Sequence, residues 1–100
     1  MKYFFFALLL FLASFSYAQV KLDSLQKIWN DQSQADSSRL EAMNAIARSY
    51  VFSQPDTTIE LSQLVIDEAN NSRLEVYKAT ALKNQGVAYL VKSDYGKALD

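Results

Sequence analysis

Apolar residues recur along this chain at helical spacing, and one pattern occurs twice. Leu40, Met43, Ala47, Tyr50 and Val51 are echoed 39 residues later by Ala79, Leu82, Gly86, Tyr89 and Leu90. Both sets stand at i, i+3, i+7, i+10 and i+11, which is a single stripe of an α-helix. A stripe shared at a fixed offset predicts a repeat protein, in which each unit buries its face against the next. Repeat helices of this kind build binding surfaces more often than they perform chemistry.

The rest of the pattern is also helical. Val20–Asn30 carries Leu22, Leu25, Ile28 and Trp29 on one face and predicts a short amphipathic helix. Trp29 is expected to pack as a lid over the first hairpin, because repeat arrays need covered ends. Residues 31–38 are polar and read as a linker. Ser38 and Glu41 are spaced as a capping box for the next helix, with Asp36 and Ser37 as alternative caps. That helix is predicted to run to about Phe52. Pro55 stops it, because the residue before a proline is pushed out of the α region, and Pro55 also suits the first turn of a new helix. In the new helix Thr58, Leu61, Val65 and Ala69 form the inner stripe, flanked by Ile59 and Ile66. Asn70-Asn71-Ser72 is expected to end it through a left-handed asparagine cap. A third long helix is predicted over Arg73–Lys92, then a break at Ser93-Asp94 and the start of a fourth helix from Tyr95. No alternating strand pattern occurs. The expected fold class is all-α, helical hairpins that open an α-solenoid after an N-terminal signal segment. Ala98 and Leu99 would still face a partner at residue 100, so the sequence reads as the start of a longer protein.

The first residues read as an address. Met1-Lys2 is a short basic start, Tyr3 to Phe15 is almost wholly apolar, and Ser16-Tyr17-Ala18 offers small residues at both positions read by a signal peptidase. The run falls short of the roughly 18 residues expected of a spanning helix. Cleavage between Ala18 and Gln19 is expected, with a retained anchor as the alternative. The protein is then exported across an inner membrane and periplasmic, free or as part of an inner-membrane protein.

Composition narrows the chemistry. The chain has no cysteine, so it has no lipoprotein anchor, disulfide or thiolate, and with no histidine either it has no Cys/His zinc site. Ten Lys+Arg and 11 Asp+Glu leave a net charge of −1, interspersed along the chain, without the basic stripe that nucleic acid needs. Two glycines cannot make a phosphate-cradling loop. Asp67 and Glu68 are neighbours on a helix and point apart, so they share neither proton nor metal. The sequence therefore offers no catalytic residue, no cofactor and no metal. An enzyme confined to these residues is the opposing hypothesis, and it lacks a base, a nucleophile and a pocket-forming loop. Membrane contact is expected only through the N-terminal segment or a helix further downstream.

The run Ala79-Thr-Ala-Leu82-Lys-Asn-Gln-Gly86-Val-Ala-Tyr89-Leu90, followed by Ser93-Asp94-Tyr95-Gly96-Lys97-Ala98-Leu99, resembles a tetratricopeptide repeat. Gly86 stands where the family favours a small residue, Tyr95 and Ala98 where it places an aromatic and an alanine, and Leu82 where tryptophan is common. Residues 40–69 resemble an earlier, diverged repeat, with Ala47 in the glycine place and Thr58 in the alanine place; the 39-residue offset exceeds the usual 34. The implied organisation is a signal peptide at 1–18, a capping helix and linker at 19–35, a diverged hairpin at 36–72 and a second, truncated repeat at 73–100. The packing residues it implies are Leu40, Met43, Ala47, Tyr50, Leu82, Gly86, Tyr89, Tyr95 and Ala98. The words Leu22-Asp-Ser-Leu25, Ile28-Trp-Asn-Asp31, Asp36-Ser-Ser-Arg-Leu40 and Phe52-Ser-Gln-Pro-Asp56 look like the front ends of exported bacterial signalling proteins. The wording is closest to tetratricopeptide-containing adenylate/guanylate cyclases, and sensor histidine kinases and helix-turn-helix regulators use similar front ends. A free exported interaction protein is the remaining alternative.

The implied partner is a protein or peptide, together with neighbouring repeats. It would lie on the concave side lined by the first helix of each hairpin, where Asn44, Arg48, Lys83, Asn84 and Val87 are expected to face outward. An asparagine and a cation on facing helices suit an extended peptide's backbone and carboxylate. The competing reading of these five is an ordinary solvated helix face.

Overall fold

The computed structural model describes residues 19–99, with side chains for all of these except 71, 72 and 95–99. The expected signal segment lies outside the described residues. Residues 19–30 form α1, Asp36–Ser49 α2, Pro55–Ser72 α3 and Glu75–Leu99 α4, with no strand among the described residues. The fold is all-α. No helix among the described residues is long and apolar enough to cross a membrane.

α3 packs against both α2 and α4, and α2 touches α4 directly. The connections between them are short, which makes sequential helices antiparallel neighbours. Leu40, Met43, Ile46, Val65, Ile66, Ala69 and Ala81 form one buried cluster, with Leu22, Leu25, Trp29, Leu74 and Tyr77 packed onto it. Each large member contributes about 1.5–3 kcal/mol by leaving water. Ser62 takes the fully buried place on α3, while Leu61 is half-buried.

Several boundaries differ from the sequence reading. α2 begins at Asp36 behind Ala35, with no side-chain cap, so the Ser38–Glu41 box is not used. The start is instead fixed from outside the helix. Arg39, buried, donates from Nε to the Trp29 carbonyl at 2.9 Å and lies 4.9 Å from the centre of the Trp29 ring. These contacts tie α1 to the first turn of α2. α2 stops at Ser49 and gives way to a turn through Ser53, three residues short of the predicted end. Pro55 stands in the first turn of α3.

α3 does not end on an asparagine. Arg73 takes the left-handed conformation, with φ 62° and ψ 28°, and the Leu74 amide donates to the Ala69 carbonyl at 3.2 Å. This is the bond of a Schellman ending, and half-buried Leu74 supplies its apolar contact. The left-handed residue has to fall immediately before that anchor, so Arg73 takes it although asparagine is better suited.

The largest departure is α4. It runs through Ser93-Asp94 as one helix to Leu99, and the predicted break there is absent. Serine and aspartate are mild helix formers and neither stops a helix. The inward stripe of α4 is Tyr77, Ala81, Asn84 and Ala88, not the repeated pattern. Leu82, Gly86 and Tyr89, expected to pack, are exposed, and a Cβ built at Gly86 would meet nothing within 4 Å. Of their counterparts, Leu40, Met43 and Ala47 on α2 are buried, and Tyr50 just after it is half-buried. One sequence pattern therefore stands in two environments. α3 covers it on α2, and no described residue covers it on α4. The side chains of Tyr95 and Ala98 lie outside the described residues.

Candidate functional site: a groove across α1, α2 and α4

α2 and α3 meet at a pair of small residues. Ala47 and Thr58 are both fully buried, and the Thr58 hydroxyl donates to the Ala47 carbonyl at 2.7 Å. Small residues at this crossing bring the two backbones together, which leaves the other face of α2 for α1 and α4.

That other face carries three adjoining cavities. The first, about 470 Å³, lies between α1 and the C-terminal half of α2, with Leu22, Leu25 and Ala45 as its apolar wall and Lys21 and Arg48 at its rim. The second, about 380 Å³, runs along Leu25, Ile28, Glu41 and Ala45. The third, about 300 Å³, lies between α2 and α4 and is walled by Asn44, Ala45, Arg48, Val76, Tyr77 and Thr80. Ala45 lines all three. The result is one open groove that crosses α2, with a small residue at its centre.

α1 leaves the first two cavities open because it covers α2 incompletely. On α4 the positions Ala81, Asn84 and Ala88 are all buried against the earlier helices. Their counterparts 39 residues earlier are Ala42, Ala45 and Ser49, and these are buried, half-buried and exposed in turn.

The five expected surface residues separate into three groups. Arg48 is exposed on the groove rim, with no ion pair among the described residues. Lys83 and Val87 are exposed on α4 and share a stripe with Val76 and Thr80, but they lie beyond the third cavity. Asn44 and Asn84, expected to face outward, are buried, 3% and 6% exposed. The Asn44 amide donates to the Tyr77 carbonyl at 3.1 Å, and the Asn84 amide donates to the Asn44 carbonyl at 3.3 Å. The two asparagines form a clasp between α2 and α4. Asn44 also borders the third cavity, and its Oδ1 is buried with no hydrogen-bond partner among the described residues.

Sequence reasoning missed Lys21, Leu22 and Leu25 as groove residues. The available signal was a cation adjoining one apolar residue and one turn before the next, on a helix long enough to wall a groove. Among the described residues no three His, Cys, Asp or Glu side chains gather to hold a metal. The groove's polar groups can bind and orient a ligand; they offer no paired acid and base.

Comparisons with family models, with curated proteins and with solved structures find no match to this chain.

Proposed function

We propose that this chain is an exported protein- or peptide-binding module of tetratricopeptide type, the N-terminal sensing region of a larger bacterial signalling protein with an adenylate/guanylate cyclase-like parent. The observation that carries the binding reading is the groove that meets at Ala45, open and walled by α1, α2 and α4. The repeat reading rests on the 39-residue echo and on the Ala47–Thr58 crossing, which puts small residues where two helices of a hairpin meet. The export and parent readings rest on the apolar start and on the sequence words around Leu22, Ile28 and Phe52. In such a parent, partner binding shifts an equilibrium between two arrangements of the membrane helix, by no more than the partner's differential affinity for them.

A displayed peptide library selected on the chain tests the binding reading. Selected peptides should lose binding to Ala45→Glu, which fills the centre of the groove with a charge while the helical spectrum is retained. Peptides that bind this variant and the parent chain equally would remove the groove from the proposal. For export, intact mass of protein recovered from the cell envelope should begin at Gln19; a species that keeps Met1–Ala18 would refute cleavage. For the parent, the reading frame past residue 100 should encode further repeats, an apolar span of about 20 residues and an output domain, with nucleotide cyclase activity assayed first and autophosphorylation second.

A further inference from the structure

We infer that the cavity between α1 and α2 takes an acidic segment of a partner protein, with an apolar side chain flanked by carboxylate side chains. The inference deepens the binding reading and rests on it. Its basis is charge. Lys21 from α1 and Arg48 from α2 stand on the rim of this cavity, and no acidic side chain lines it. Neither cation has an ion pair among the described residues, where the ion pairs are Arg39–Asp36 and Lys92–Asp56. The 18 residues before α1 hold no Asp or Glu, so that stretch supplies no carboxylate either. Glu41 lines the other two cavities and meets Arg48 in the third, so the cavity between α1 and α2 is the one lined by cations without a carboxylate.

Between the cations the wall is Leu22, Leu25 and Ala45, suited to one buried apolar side chain. Tyr50 adds a phenol to the lining, and no hydrogen bond is made by its hydroxyl among the described residues. Two cations on different helices, on either side of an apolar wall, match carboxylates on either side of an apolar residue. A free C-terminus brings a single terminal carboxylate, so side-chain carboxylates are the occupant favoured here. Both cations are exposed, and their contribution is therefore sensitive to salt.

The test is fluorescence anisotropy on the full chain with a labelled peptide, acetyl-Gly-Asp-Glu-Leu-Asp-Glu-Gly-amide. Its comparators are the Asn/Gln form of the same peptide and a neutral peptide with a free C-terminus. The acidic amide should bind, and binding should weaken about tenfold when salt rises from roughly 0.05 to 0.5 M, as screening shortens the reach of exposed charges. Lys21→Gln and Arg48→Gln should each weaken it by about three- to tenfold with the melting temperature unchanged. Arg48→Glu should restore binding to a Lys-for-acid peptide. Equal binding of the Asn/Gln peptide, indifference to both cations, preference for the free C-terminus, or a groove filled by a second copy in sedimentation would each overturn the assignment. Library peptides blocked by Ala45→Glu yet indifferent to Lys21 and Arg48 would leave the binding reading standing and remove this one alone.

Discussion

Gly86 decides between two pictures of the same stripe. It lies inside α4, its φ is not positive, and an added Cβ would meet open space. A glycine in a helix interior costs about 1 kcal/mol relative to alanine, because it loses more backbone entropy on folding. With no clash to oppose it, Gly86→Ala should therefore stabilise this chain by about 0.8–1 kcal/mol. For a domain of this size 1 kcal/mol moves the melting temperature by roughly 4–8 °C. Thermal and urea melts followed by circular dichroism, at two protein concentrations, measure it. Gly86→Leu should move stability the same way, since leucine is also a good helix former. A loss of stability in either variant would refute the reasoning, because it would mean that the stripe Leu82, Gly86, Tyr89 is covered and that a side chain at residue 86 strikes what covers it. In a longer protein with a helix packed on this stripe the sign should reverse, with Gly86→Leu overpacking by about 1–3 kcal/mol.

Ser62 is fully buried and its hydroxyl has no partner among the described residues, so Ser62→Ala should be neutral or stabilise by up to about 1 kcal/mol, as read in a urea titration. Asn84→Ala and Asn44→Ala should both destabilise, by about 1 kcal/mol or more for Asn84 and less for Asn44, whose removal also relieves an unpaired buried Oδ1. Their double mutant should depart from additivity by about 0.5 kcal/mol or more, because the two asparagines are neighbours in one clasp between α2 and α4; strict additivity would refute the clasp geometry. The Asp31 carboxylate accepts the Ser33 hydroxyl at 2.6 Å and the Ser33 amide at 3.0 Å, which hold its pKa below the usual carboxylate range. Its folded value is the lower one, so the turn's support is present above the ordinary carboxylate pKa and fades as pH falls through the lowered value. Carboxyl-carbon NMR should show this midpoint, and Ser33→Ala should raise it.

The helices were legible because long apolar periodicity is a strong signal: Thr58, Val65 and Ala69 are buried on α3 as the period predicts, with Ser62 in the place expected of Leu61, and Pro55 falls where its missing N–H costs nothing. The ends were less legible. Ser38 and Glu41 have the spacing of a cap, but the Arg39–Trp29 contact comes from another helix and overrides local preference. Arg73 in the left-handed position was equally invisible, since Leu74's place in the core selects it. The groove was half legible. Arg48 follows from the helical period, whereas Asn44 and Asn84 look like surface residues on an amphipathic wheel. Their burial depends on each finding a carbonyl of the neighbouring helix, a long-range fact that no local window contains.

α4 shows why a periodic reading can be right about helix and wrong about face. Its buried stripe is built of small and polar residues, Ala81, Asn84 and Ala88, while Leu82, Tyr89, Leu90 and Val76 stand in solvent. Assigning the most apolar stripe to the core would turn this helix nearly half a revolution. The close approach of α3 and α2 requires small side chains on the inward side, and the Asn84 bond to Asn44 fixes the rotation. A helix apolar around most of its circumference is the kind found buried on both sides. On α2 the same two-sided demand is met by α1 and α4 on one face and α3 on the other, and the part that α1 leaves uncovered is the groove. Groove and incomplete packing among the described residues thus have one physical origin: a small-residue face on α2 that α1 covers only in part.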